Sequence, residues 1–383
     1  MIKLSNTDAA LKDYYLDVVN AQLNGEVSPF YNAIVKTSEN VVGNEVKLTV
    51  VKGGMGAVRA TAEDSNLPTA RENRYYTLSQ PLKNIYGTIE ISDKAIRATG
   101  ESTGAFVNLL NAEMEGLIAD AKANFARMLY GDGSGALTTM VSKVSNKEIK
   151  VKDVKSFYVG MTIHVKLANG LIIDTVVAVD KETKVLTLKG SLEGYTINGG
   201  ETVRIYNLTD LEITGLAGIF DSTTLYGIDK STDSFFNPYV TEIAKSELTE
   251  DDILSTIDEI EEESGGKINM ILCSYSTRRM IVKLLESSRH LINTTDIQAG
   301  CTSLYINEIP VCADKFCPDS RIYFLNTDDF VLNQLCDWSW LEDEGGRVLK
   351  QVANKAAYSA TLVKYANLLC KRPCGQGLIK LTD

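Results

Sequence analysis

Side chains that commonly carry out catalysis are scarce in this sequence, which has two histidines among 383 residues. Neither His164 nor His290 lies in a motif typical of a general base or of a metal ligand. The spacing of the cysteines does not match the paired knuckles of a zinc site, so we expect no metal and no cofactor. An odd number of cysteines in a chain without a signal peptide predicts reduced, buried thiols. The seven cysteines are Cys273, Cys301, Cys312, Cys317, Cys336, Cys370 and Cys374.

A glycine-rich segment at 131–135 is the next candidate for chemistry. It follows a predicted helix instead of preceding one, and it lacks the Gly-Lys-Ser/Thr ending of a phosphate-binding P-loop. Ser134 also lacks the first glycine of a nucleophile elbow, so we interpret the segment as a turn that ends a helix. These observations predict that the protein is not an enzyme. One alternative of that class stays open, a cysteine-dependent enzyme using Cys273 or Cys301 with His290.

Composition and charge exclude further classes. With 44% hydrophobic and 23% charged residues the chain is globular, not disordered, and its length allows two to four structural units. The net charge is −11, and residues 216–383 hold 16 basic against 25 acidic side chains, a net −9. This balance argues against a protein that grips nucleic-acid backbones, and we interpret the lysines between 143 and 155 as a solvated strand face. We expect a cytosolic product without a membrane span.

The first ninety residues show a helix followed by extended segments. Apolar residues at helical spacing predict a helix over 7–24, and alternation from 44 to 50 predicts a strand. Four residues of a glycine-rich turn lead to an expected return strand near 57–61, and a further extended segment runs over 75–92. A hairpin of this length with a polar tip has little core of its own, so we expect it to need a neighbour to lie on.

The strongest helix pattern in the chain covers residues 103–130 and has one apolar face. Short alternating segments with glycine turns between 143 and 208 predict a small antiparallel barrel or sandwich, inserted before helical patterning resumes. A helix capped by Thr249, with an isoleucine stripe and an acidic outer face, ends at Gly265. Later elements are expected near 269–274, 276–285, 304–311 and 321–325.

The order of these parts resembles the major capsid proteins of tailed bacteriophages, which have the Hong Kong 97 fold. The resemblance covers nearly the whole chain. Four segments carry it. The first two are the end of the long extension with the residues after it (86–96) and the end of the long helix with its Gly-Asp-Gly turn (126–135). The other two are a Gly-Leu-Ala-Gly segment (215–219) and a Tyr-Gly-Ile-Asp-Lys-Ser segment (226–231).

The resemblance implies an α+β fold with an inserted small all-β domain. The implied parts are an N-terminal arm (1–42), an extended loop with its return strand (43–92), a peripheral domain (93–140 and 346–383) built on a spine helix (103–130), the inserted domain (141–213) and an axial domain (214–345). The implied function is a virion shell subunit that self-assembles through hexamers and pentamers in the bacterial cytoplasm. It would enclose double-stranded DNA without binding it specifically.

The resemblance also implies partners. Because the arm starts at Met1, a separate scaffolding protein is expected, together with a portal protein. A second possibility within the same fold is the shell of a cellular nanocompartment with an enzyme as cargo.

Alternating charges at the tip of the extended loop predict ion pairs between subunits. The tip residues are Arg59, Glu63, Asp64, Arg71, Glu72 and Arg74.

Overall fold

The computed structural model describes residues 28–52, 58, 60–61, 63, 72–94, 103–287, 304–342 and 348–382. The helix expected over 7–24 lies outside these residues. The helices described are α1 (Pro29–Ala33), α2 (Thr103–Met128), α3 (Leu216–Asp221), α4 (Glu250–Ser264) and α5 (Tyr275–Ser287). Among the residues described, no helix is both long and apolar enough to cross a membrane.

The structure contains both helices and strands, with more residues in strands. The fold is therefore mixed α+β, as predicted. In chain order they are β1 (Val35–Thr37), β2 (Val41–Val42), β3 (Glu45–Lys52), β4 (Arg74–Pro81), β5 (Lys83–Ser92), β6 (Ala136–Lys143), β7 (Glu148–Val151), β8 (Thr162–Leu167), β9 (Gly170–Asp180), β10 (Val185–Leu188) and β11 (Thr202–Ile205). The later strands are β12 (Thr224–Leu225), β13 (Ile228–Asp229), β14 (Tyr239–Ala244), β15 (Met270–Cys273), β16 (Tyr305–Ile306), β17 (Ile309–Ala313), β18 (Arg321–Leu325), β19 (Phe330–Trp340), β20 (Lys350–Gln351), β21 (Ala357–Cys370) and β22 (Gly377–Thr382).

The long helix α2 lies on a sheet whose strands come partly from before the helix and partly from residues 330–370. That sheet runs β1-β19-β21-β20, and β5 pairs along β21. Met114, Ile118 and Phe125 of α2 are buried in the core they share with the sheet, as the predicted apolar face requires. Tyr31 packs edge-on against Phe125 with ring centroids 5.3 Å apart. The helix predicted over 103–130 is present as α2, and Phe30, Tyr31 and Ile34 pack in the same core.

Strands β6 to β11 close an antiparallel barrel between α2 and α3. Burial alternates clearly along β8, where Ile163 and Val165 are fully buried while Lys166 is exposed. This is the period-two pattern by which the sequence predicts short strands in this region. The barrel has an apolar core of its own.

The second large sheet has the order β14-β22-β18-β15-β17-β16, with parallel and antiparallel pairs. Helix α4 covers it through the predicted isoleucine stripe, and Ile253, Ile257 and Ile260 are buried. Thr249 and Asp252 form a reciprocal capping box at its start, and Gly265 ends it in a left-handed conformation with φ 65°. Both predicted helix ends are confirmed.

The predicted return strand near 57–61 is wrong. Strand β3 pairs instead with β4, in a register that places Leu48 opposite Leu78 and Val46 opposite Gln80. Residues 58, 60 and 61 form no strand. The register is set by burial, because Val46 and Leu78 are both fully inaccessible to solvent whereas Val58 is fully exposed.

The expectation of seven reduced thiols is wrong at one position, since Cys312 is disulfide-bonded. It lies in the buried strand β17 of the second sheet. Free thiols are present at Cys273, Cys317, Cys336, Cys370 and Cys374.

Candidate assembly surfaces

Of the catalytic candidates Cys273, Cys301 and His290, the structure describes Cys273 alone. Burial raises the pKa of the Cys273 thiol to about 12, so the thiol stays protonated and unreactive at neutral pH. Its suggested partner His290 and the alternative nucleophile Cys301 lie outside the described residues. His164 lies in β8 of the barrel. Within the described ranges, no three His, Cys, Asp or Glu side chains are grouped so as to hold a metal ion.

The Gly-Leu-Ala-Gly segment lies directly against the end of the spine helix. The backbone N–H of Leu216 donates to the carbonyl of Leu129 at 2.8 Å, and that of Gly218 donates to Gly131 at 3.3 Å. A Cβ atom on Gly215 would lie 2.4 Å from the carbonyl oxygens of Met128 and Leu129. The glycine is therefore required because two backbones approach too closely for any side chain.

A buried ion pair ties the same helix end to the chain that leaves the barrel. Arg127 Nη1 donates to Glu212 Oε2 at 3.0 Å, and Nη2 donates to Oε1 in a second, parallel contact. The side chains of Arg127 and Glu212 are 8% and 2% exposed. Entry to and exit from the barrel are thus fixed to each other by a bidentate contact.

The two motif segments at 215–219 and 226–231 meet in the structure. Lys230 is buried, and its Nζ donates to the carbonyl of Ile219 at 2.6 Å, near the carboxyl end of α3. A cation at this end satisfies carbonyls that the helix leaves unpaired and interacts favourably with the helix dipole. Burial lowers the pKa of Lys230, an effect partly opposed by Asp221.

One face of the hairpin formed by β3 and β4 packs on the residues that follow this motif. Tyr76 donates a hydrogen bond to Asp233 Oδ2, stacks on Phe235 with centroids 6.3 Å apart, and meets Phe236 edge-on at 5.3 Å. Val46 and Leu78 share this small core. The contact of Tyr76 with Phe235 and Phe236 was not predicted from the sequence. Two adjacent phenylalanines after the 226–231 motif were the available signal.

No residue that the structure describes covers the opposite face of the hairpin. Val51 and Tyr75 lie directly across from each other, and they are 50% and 62% exposed. Of the predicted tip residues, Glu63, Glu72 and Arg74 are exposed, and none forms an ion pair with another described residue. The remaining three tip residues, Arg59, Asp64 and Arg71, lie outside the described residues.

A comparison with known families decides what kind of protein carries these surfaces. The family model described as SU10 major capsid protein matches residues 5–344. The chain belongs to this family. It is therefore a phage major capsid protein and a component of the virion capsid, which confirms the function predicted from the order of its parts.

Solved structures agree with this assignment at the level of the fold. The capsid protein is similar to the capsid subunit of cyanophage A-1(L), with 11% identity, a TM-score of 0.57 and 93% of each chain covered. It is also similar to the capsid of the native GTA particle, with 9% identity, a TM-score of 0.53 and 94% and 91% of the two chains covered.

A nanocompartment shell shares the fold too. The SrpI encapsulin of Synechococcus elongatus has 9% identity, a TM-score of 0.51, and coverage of 94% of this chain and 89% of its own. At this identity the likeness shows the fold alone, and the family match favours the phage capsid over the nanocompartment alternative. A search of curated protein sequences finds no match.

Proposed function

We propose that this capsid protein assembles through hexamers and pentamers into a closed icosahedral shell around double-stranded DNA. In this proposal the hairpin of residues 43–92 lies over the neighbouring subunit, and residues 214–345 meet their copies at the capsomer centres. Residues 93–140 and 346–383 form the peripheral domain, residues 141–213 an inserted domain, and residues 1–42 an arm.

The exposed pair Val51 and Tyr75 is the observation that carries the proposal. The face of the hairpin that includes Tyr76 packs on the hairpin's own chain, whereas the face with Tyr75 packs on nothing described. Apolar area left in water costs roughly 25 cal/mol per Å², and a neighbouring copy in a symmetric array would cover it. The docked face holds β3 and β4 in place, and the opposite face would meet that neighbour.

The proposal includes further partners and excludes catalysis. A separate scaffolding protein and a portal protein would guide assembly in the host cytoplasm, and the subunit would perform no enzymatic reaction. The net charge of −11 supports a wall that encloses DNA without binding it specifically.

Reversal of charge at the loop tip tests the proposed contact. The double variant Arg71→Glu and Arg74→Glu would place like charges against the neighbouring subunit, so we expect slower assembly with altered salt dependence. A matched control reverses Lys181 and Lys189, which are exposed lysines of the barrel. Sedimentation of assembly reactions at several salt concentrations provides the measurement. Unchanged assembly in the tip variant would refute the contact.

A further inference from the structure

A cavity of about 270 Å³ lies where the barrel meets the second large sheet. One wall comes from the barrel, a second from the first turn of α5, and a third from the loop between β17 and β18. Three of the six lining residues are cationic and one is anionic. Its lining residues are Lys155, Tyr275, Ser276, Arg279, Lys315 and Asp319.

The single carboxylate of the cavity is already engaged. Lys155 Nζ lies 2.8 Å from Asp319 Oδ1, and the Ser276 hydroxyl donates to the same oxygen at 2.7 Å. Burial alone would raise the pKa of Asp319, but hydrogen bonds from Lys155 and from Ser274 and Ser276 outweigh it and hold that pKa at about 2. Asp319 is therefore ionised at neutral pH, and its charge is balanced by Lys155.

The other two cations have no such partner. Neither Arg279 nor Lys315 forms an ion pair with any residue that the structure describes, and both are exposed. Lys315 only approaches the ring of Phe316, with its Nζ 5.0 Å from the centroid. Three cations and one carboxylate leave the cavity with two uncompensated positive charges, in a chain whose net charge is −11.

We propose that this cavity binds a phosphate group, supplied by the backbone of the packaged DNA. The planar guanidinium of Arg279 can donate two parallel hydrogen bonds to phosphate oxygens, and the ammonium of Lys315 adds a second point charge. The volume exceeds that of one phosphate and leaves room for the group attached to it. Such a contact is independent of base sequence, so it extends the proposed function without making DNA binding specific.

The ring of Tyr275 gives the cavity a second feature of nucleic-acid sites. It is 51% exposed, and the guanidinium carbon of Arg278 lies 5.5 Å from its centroid. Tyrosine side chains are among those that hydrogen-bond to the phosphates of duplex DNA, so Tyr275 can add a neutral donor beside the cations of the cavity.

Two titrations of the full-length unassembled subunit test the site, one with pyrophosphate by calorimetry and one with a labelled DNA duplex by fluorescence anisotropy. The variant Arg279→Ala with Lys315→Ala should weaken pyrophosphate binding by about tenfold or more. It should also reduce the slope of log affinity against log salt for DNA by about two, one for each cation removed. The control variant Lys181→Ala with Lys189→Ala should leave pyrophosphate binding unchanged.

A third variant separates binding from a merely structural role. Asp319→Asn keeps all three cations and removes the opposing carboxylate, so pyrophosphate should bind more tightly than to the wild type, while damage to the cavity would weaken it. If pyrophosphate binding falls in the double variant but DNA affinity does not, the phosphate site stands and the DNA source is overturned. Absence of pyrophosphate binding, combined with defective shells in the double variant, would overturn the site in favour of a carboxylate from a neighbouring subunit.

Discussion

At the scale of single residues, the buried pair of Arg127 and Glu212 shows how the junction between helix and barrel is held. Both charges are removed from water, so each depends on the other for its hydrogen bonds. Such a pair contributes little net stability against an apolar replacement, yet the loss of one partner leaves an uncompensated buried charge. Its main effect here is to fix the geometry of the junction.

The variant Arg127→Met should therefore lower the free energy of unfolding by about 3–5 kcal/mol, because it strands the Glu212 carboxylate. The double variant Arg127→Met with Glu212→Leu should recover most of that loss. Urea denaturation of the unassembled subunit measures both. Equal destabilisation in the single and double variants would show that packing, and not charge, dominates at this position.

Asp319 makes a pH-dependent contribution whose sign follows from its lowered pKa. The carboxyl titrates at about 2 in the folded chain against 3.8 when unperturbed, so its stabilisation is present above pH 3.8 and is lost as the pH falls to about 2. The difference in urea midpoint between the wild type and Asp319→Asn should shrink through that interval. A difference that stays constant with pH would contradict the assigned ion pair with Lys155.

At the scale of elements, two glycine variants distinguish the close packing between α2 and the segment before α3 from the effect of helix propensity on stability. Gly215→Ala would force a Cβ against two backbone carbonyls, and overpacking of this kind costs about 1–3 kcal/mol or more. Gly116→Ala lies in α2 with nothing within 4 Å, and should stabilise the chain by about 0.5–1 kcal/mol. Thermal unfolding of both variants should shift in opposite directions, and a neutral Gly215→Ala would refute the close approach.

Tyr76 holds one face of the hairpin against Phe235 and Phe236. Tyr76→Ala removes two ring contacts and a hydrogen bond, so the amides of β3 and β4 should lose protection worth about 1.5–3 kcal/mol. Tyr76→Phe keeps the rings and should lose much less. Hydrogen exchange monitored by mass spectrometry distinguishes them. Equal protection in the wild type and Tyr76→Ala would mean that the hairpin is held by other contacts.

Local patterns predicted the elements better than their partners. The spacing that defines α2, and the capping box of Thr249 with Asp252, are short-range signals that the structure reproduces. Alternation in β3 shows which face is buried but not which strand lies beside it, so the pairing with β4 was missed. The contacts of Tyr76 with Phe235 and of Lys155 with Asp319 join residues far apart in sequence, and no spacing rule encodes them.

At the scale of the whole molecule, the surfaces that the folded subunit leaves exposed are the ones available for assembly. The described residues form three large cores, in the sheet under α2, the barrel and the second large sheet. The face of the hairpin with Val51 and Tyr75 has no comparable cover among the described residues. Negative charge is concentrated after residue 215, and the cavity beside Lys155 is a local exception to it.

Electron cryomicroscopy of particles purified after expression of the full chain, with and without a scaffolding protein, is the most direct test of the account. It predicts closed icosahedral shells of hexamers and pentamers in which Val51 and Tyr75 are buried against the neighbouring subunit. A chain that remains monomeric under every condition would contradict the proposed assembly. Shells in which Val51 and Tyr75 stay exposed to solvent would contradict the role assigned to the hairpin.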